Sequence, residues 1–131
     1  MNWRLHRIVG WLMFGIFLFT GFYQKFNWGH IDRGDLLMRS LFRARHIYLL
    51  LSFLIHELIG IYGQPQAPGW RQTGQTIGSF FLFAGSTVLV AAYFHDPIHK
   101  IVEMSWGEWG IHLTFLGSFL HVISAKGPTT L

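Results

Sequence analysis

The sequence predicts an all-α protein, an integral membrane four-helix bundle, up-and-down, with its termini on the same side. Three observations carry that expectation. Half of the 131 residues are apolar (51%) and only 12% are charged, against roughly 25% in soluble domains. A soluble chain of this length buries only about two-thirds of its surface, too little to hide so much apolar material. The apolar residues fall in four long runs, and these are continuous rather than alternating. Lipid admits only helices or closed barrels, whose backbone groups are all paired, and continuous runs point to helices.

The spans are expected at about 5–23, 41–62, 72–94 and 109–125, within a single transmembrane domain covering 1–131. A helix needs about 20 residues to cross the hydrocarbon. Arg4 and Arg7 ahead of the first run look like the start of a signal peptide. No small-residue cleavage site follows, so this segment is expected to stay as a helix. The second run holds Arg43, Arg45, His46, His56 and Glu57; the third, 72–94, has no charge; the fourth holds His112 and His121.

Gln64-Pro65-Gln66-Ala67-Pro68-Gly69 is a turn between spans two and three, and Asn27 to Asp35 a polar loop. Asp96-Pro97 has the form of a helix start, aspartate as N-cap and proline at the first position. A short interfacial helix is therefore expected over 97–106. Trp3, Trp28, Trp70, Trp106 and Trp109 fall at span ends, where an aromatic belt would place them.

Arg4, Arg7, Arg71 and Lys126 lie on one side of this topology, and Lys25, Arg33, Arg39, Arg43, Arg45 and Lys100 on the other. Six against four favours the loop over 24–40 as cytoplasmic, in a bacterial inner membrane. The formal charge of +4 sits beside apolar runs, without a basic patch interleaved with stacking aromatics, so no nucleic-acid partner is expected. With no cysteine, disulfides, thiolate zinc sites and thiol catalysis are excluded. There is no nucleophile set or phosphate loop, so no catalytic residue is assigned and the chain is not expected to be an enzyme on its own.

Small residues gather on two spans: Gly74-x-x-x-Gly78 and Ala84-Gly85-Ser86 on the third, Gly110, Thr114 and Ser118 on the fourth. Such faces let backbones approach closely, either inside this chain or against a protein partner.

Eight histidines in 131 residues demand an explanation. His6, His56 and His121 share one depth; His46 and His112 share the opposite one; His30, His95 and His99 lie nearer water. Ionisable groups inside a membrane are costly and usually functional. Neutral imidazole binds iron, and haem can be held by two axial histidines from facing helices. This suggests a haem b between His121 and either His56 or His6, and His46 with His112 could hold a second. Gly117 and Gly60, one turn from His121 and His56, would leave room for the macrocycle. His112 and His121, however, are nine residues apart and point to opposite faces at about 100° per residue. Two haems would need different helix pairings, so one or none is expected. The leading reading is that these histidines hydrogen-bond between helices or sit at the interface; haem is the alternative, and pigment binding through the same imidazoles stays open.

His56-Glu57 suggests a proton pathway, or a carboxylate paired with a partner subunit. Arg43-Ala44-Arg45-His46 opens span two as snorkelling arginines or as a site for an anionic group. His95, His99 and Glu103 have the residue types of a metal site, and on a helix His99 and Glu103 would share a face.

Leu5-His6-Arg7, Arg45-His46 and Leu120-His121-Val122 resemble the small four-helix b-type membrane cytochromes. Those proteins usually pair histidines on one face of one helix, and this chain does not. The resemblance implies haem b and electron transfer. The run from Arg39 to Tyr62 is similar to uncharacterised small bacterial four-helix membrane proteins, which implies no activity. The leading functional expectation is an accessory or scaffold subunit of a larger membrane complex. The alternatives are a haem-binding electron-transfer protein and a proton pathway through His56 and Glu57.

Overall fold

Every apolar run is a helix in the computed structural model, which describes residues 3–27, 35–64, 66 and 68–125. The elements are α1 (Trp3–Asn27), α2 (Leu36–Tyr62), α3 (Trp70–His99) and α4 (Trp106–Ser124), with no strand among the described residues. Of these, α1, α2 and α3 are long and apolar enough to cross a membrane. The 19 residues of α4, which include Glu108, His112 and His121, are not in that set. Residues 28–34 of the expected polar loop, with Trp28, His30 and Arg33, lie outside the described residues, as does Lys126.

Polar contacts set the helix ends. Asp35 caps α2, its carboxylate accepting from the Met38 N–H at 2.9 Å, so this helix begins five residues before the apolar run. Ser105 caps α4 by accepting from the Glu108 N–H at 3.2 Å, the serine half of a capping box.

The expected helix over 97–106 is not formed. Instead α3 continues through Asp96 and Pro97 and ends at His99. Lys100 turns left-handed (φ 53°) and the Ile101 N–H returns to the Asp96 carbonyl at 3.0 Å, a C-terminal closure. Asp96 does cap a helix, but the next one. It accepts from the N–H groups of Trp106 at 3.3 Å and Gly107 at 2.9 Å. Pro97 lies inside the last turn of α3, where it removes one N–H donor from the helix.

Two tight antiparallel hairpins make the bundle. In the first, His6 of α1 meets His56 of α2 and Gln24 meets the Phe42 carbonyl. In the second, α3 and α4 touch backbone to backbone. A Cβ on Gly78 would lie 2.9 Å from the Gly117 carbonyl, and one on Gly117 would lie 2.6 Å from the Gly78 carbonyl. The small faces that the sequence offers to a partner chain are thus turned to each other inside this one. The hairpins join mainly along α2 and α3. An apolar groove of about 630 Å³ stays open between α1 and α3, lined by Leu5, Val9, Leu12, Phe83 and Val90.

The distribution of polarity is inverted relative to a water-soluble globule. Side chains such as Trp11, Leu12, Phe19, Phe80, Phe115 and Phe119 face outward, while His6, Thr20, Ser52, His56, Ser86 and Asp96 are buried. Met13, Leu49, Leu89, Phe42 and Tyr93 form an apolar core layer with polar groups on either side of it along the helices.

A buried histidine–serine chain as candidate functional site

Helix register decides which histidines meet. On α4, Gly110, Thr114, Gly117 and His121 are buried at the i, i+4, i+7, i+11 spacing of one face. On α1, His6 shares an inward face with Met13 and Thr20; on α2, His56 shares one with Ser52 and Leu49. His6, His56 and His121 converge: the His6 ring centroid is 5.1 Å from that of His56 and 5.5 Å from that of His121. Phe83 of α3 stacks on both His6 (4.8 Å) and His56 (5.3 Å).

Serines of α3 link the rings into one chain. His121 Nε2 lies 3.1 Å from Ser79 Oγ, which lies 2.9 Å from His6 Nε2. His6 Nδ1 lies 2.9 Å from His56 Nδ1, and His56 Nε2 lies 2.9 Å from Ser86 Oγ. Ser86 Oγ meets Ser52 Oγ at 2.7 Å. Both α3 serines also donate to their own helix, Ser79 to the Gln75 carbonyl at 2.9 Å and Ser86 to the Leu82 carbonyl at 2.8 Å. Hydroxyls and imidazoles both donate and accept, so this chain can hand a proton along. Trp3 covers its outer end, packing on His6 at 6.2 Å and His121 at 6.0 Å. Trp3 therefore turns inward from the expected belt, whereas Trp70, Trp106 and Trp109 are exposed.

The same geometry departs from bis-histidine haem ligation. Axial nitrogens on opposite sides of an iron lie about 4 Å apart at ordinary metal–imidazole bond lengths. His121 and His6 both meet the Ser79 hydroxyl through Nε2, at 3.1 and 2.9 Å, and both ring nitrogens of His56 are bonded, to His6 and to Ser86. The space expected at the two glycines is filled, Gly117 by the α3 backbone and Gly60 by Arg7. The second pair does not form. His46 belongs to the α1–α2 contact, stacked on Phe17 at 4.1 Å and bonded through Nδ1 to Thr20 Oγ1 at 2.9 Å. His112 is exposed on the outer face of α4, its Nδ1 2.7 Å from the Glu108 carbonyl.

Glu57 diverges from His56. It packs on Gly10 of α1, and its Oε1 is buried without a hydrogen-bond partner. Arg45 does not snorkel. It is 5% exposed and donates through Nε to Asp96 at 2.8 Å and through its guanidinium to Ser105 Oγ at 2.8 Å. The face expected for His99 and Glu103 is not formed, because α3 ends at His99. The His95 ring stacks between His99 (4.3 Å) and Trp106 (4.6 Å) instead. Among the described residues no group of three or more ligating side chains converges for a metal.

Ser52, Ser79, Ser86 and Phe83 are the members that reading for histidines misses. Their signal is the seven-residue repeat of Ser79 and Ser86, each directly after a glycine of the small-residue face.

No protein-family model, no curated protein and no solved structure matches this chain.

Proposed function

We propose that this is an integral membrane protein with four crossing helices and no catalytic activity of its own. It serves as a small accessory component whose buried histidine–serine chain takes up protons from one membrane face and carries them to mid-bilayer depth. The outward apolar side chains support the membrane placement. The observation that carries the proton role is the unbroken chain from His121 through Ser79, His6 and His56 to Ser86 and Ser52. A histidine aligned with hydroxyls inside apolar surroundings is costly unless every group is paired, and here the pairing builds a conductor. Along α3, Ser79 and Ser86 are about 10 Å apart. The leucine layer of Leu49 and Leu89 then closes the path.

Deuterium entry tests this directly. In bilayers, 15N spectra follow replacement of the ring protons of His6 and His56 after transfer to D₂O. His121→Phe should slow that replacement at least tenfold while backbone amides of α1 and α2 exchange as before. Equal rates in the variant would overturn the relay.

A second reading rests on His46. Thr20 Oγ1 donates to the Phe17 carbonyl at 3.0 Å, so at 2.9 Å it accepts the His46 Nδ1 proton and leaves Nε2 with its lone pair. That ring edge faces Gly21, in a pocket of about 230 Å³ lined also by Phe22 and Lys25. Ligating imidazoles are oriented in this way, by a hydrogen bond at the other nitrogen. Haem b would bind here through one protein ligand, with Lys25 beside its acidic edge. Haemin titration of the purified protein tests it. His46→Ala should abolish binding and His121→Phe should leave it intact; the opposite pattern would overturn both readings.

A further inference from the structure

Two hydrogen bonds tie α1 to α3: His6 Nε2 with Ser79 Oγ at 2.9 Å, and the Tyr93 hydroxyl to the Thr20 carbonyl at 3.1 Å. Along α1 the ties are about 21 Å apart. Between them the helices part around the apolar groove of about 630 Å³. The ties bound the groove along the helices, and its long side opens to the outside of the bundle, which faces lipid in the membrane placement proposed above. The walls are apolar except for Ser86 and Thr87 of α3. Ser86 is where the histidine–serine chain ends, bonded to His56 at 2.9 Å and to Ser52 at 2.7 Å. Thr87 is exposed and donates to the Phe83 carbonyl at 3.0 Å, which leaves its oxygen able to accept.

We infer that this groove binds a lipid-soluble quinol, a phenolic ring on an isoprenoid chain, with one ring hydroxyl at Thr87 and Ser86. The inference rests on the relay reading proposed above: a chain that stops beside the Leu49 and Leu89 layer needs a proton partner at that depth. Size and wall chemistry select the occupant. Pockets of about 300–1,000 Å³, mostly apolar with a few placed polar groups, are typical of small-molecule sites. From Leu5 to Ile16 the groove runs about 16 Å, so its section is about 40 Å², half the roughly 80 Å² of a helix about 10 Å across. A partner helix does not enter it. An acyl chain fits the walls but leaves the Thr87 oxygen facing hydrocarbon, at a desolvation cost. A quinol fills the walls with its chain and gives Thr87 a donor. Its phenolic proton is labile, lost near pH 10 as in tyrosine, unlike that of an aliphatic alcohol. The step is an exchange: one proton passes from the ring oxygen to Ser86 as another passes from Ser86 to the ring oxygen. No electron moves and no charge is left in the groove.

The test uses the full chain in bilayers with decylbenzoquinol, 13C-labelled in the ring and kept reduced, and reads ring-to-protein contacts by solid-state NMR. One quinol per chain is expected at saturation, with ring contacts to Thr87 and Ser86. Ala91→Phe fills the groove and should remove them. Thr87→Val keeps the side-chain shape without the oxygen and should weaken occupancy about fivefold, the worth of one hydrogen bond. Absent contacts, contacts that survive Ala91→Phe, displacement of the quinol by decylbenzene at equal concentration, or contacts between two copies of the chain in the groove would each overturn the site. If the quinol fails to bind while His121→Phe still slows deuterium entry at His6 and His56, the quinol site falls and the relay stands. If it binds at Thr87 while that entry ignores His121→Phe, the relay and the proton exchange fall and the binding site stands.

Discussion

Arg45 and Asp96 meet at 2.8 Å in the interior, 5% and 0% exposed, and through this pair α2 holds the end of α3 against the start of α4. Asp96 accepts from Arg45 and from the N–H groups of Trp106 and Gly107. One carboxylate thus neutralises a buried guanidinium and caps the positive end of a helix.

Removing one partner of a buried pair leaves an uncompensated charge, at a cost of about 3–5 kcal/mol. Asp96→Ala is expected to fall in that range, measured by unfolding in mixed detergent micelles. Arg45→Met combined with Asp96→Leu should recover a large part of the loss. A double variant as unstable as Asp96→Ala would assign the loss to the α4 cap instead.

Gly117→Ala forces a methyl group toward the Gly78 carbonyl. Overpacking of this kind costs about 1–3 kcal/mol, and the same unfolding assay should read it. Gly15→Ala is the control. Its new Cβ meets nothing within 4 Å, and alanine favours a helix by up to about 1 kcal/mol over glycine. Gly15→Ala should therefore match or exceed the parent.

Asp35 and Lys100 join the start of α2 to the end of α3 at 2.7 Å. The Lys100 hydrogen bond, then that of the Met38 N–H, holds the Asp35 carboxyl below its ordinary value. A carboxyl lowered in the folded state stabilises above its unfolded pKa and loses that contribution as pH falls through the folded one. Thermal stability followed downward from pH 7 should decline in that acid range, and Asp35→Asn should flatten this part of the curve. An unchanged profile in Asp35→Asn would assign the acid sensitivity to other carboxyls.

Trp3 closes the outer end of the chain, its ring between His6, His121 and Gly63. Trp3→Ala should accelerate deuterium entry at His121 and His6 several-fold with the fold retained by circular dichroism. Unaltered entry would place the proton route elsewhere.

Much of the architecture is legible from the sequence, and the reasons are physical. Continuous apolar runs and the Gln64–Gly69 turn yield the helices, and histidine depth groups His6, His56 and His121. Two features escape such reading. Asp96-Pro97 has the grammar of a helix start, yet tertiary contacts recruit Asp96 to Arg45 and to the next helix, so α3 runs through it. Ser79 and Ser86 look like packing residues, since a hydroxyl bonded to its own helix carbonyl leaves no mark in the sequence. Their second role, accepting from histidines of other helices, depends on rotation that spacing alone does not set. The same rotation separates His46 from His112, placing one between α1 and α2 and the other outside α4.

The most direct measurement of the proposed relay is proton flux through proteoliposomes under a pH gradient. The chain from His121 reaches Ser52 and Ser86; Leu49 and Leu89, 0% and 1% exposed, separate it from the polar groups around Thr20 and Tyr93. The parent protein should be tight. Leu49→Ser with Leu89→Ser should raise flux at least tenfold, and adding His56→Phe should abolish the increase. Flux that rises in the double variant and ignores His56→Phe, or that does not rise at all, would contradict a proton relay ending at this layer.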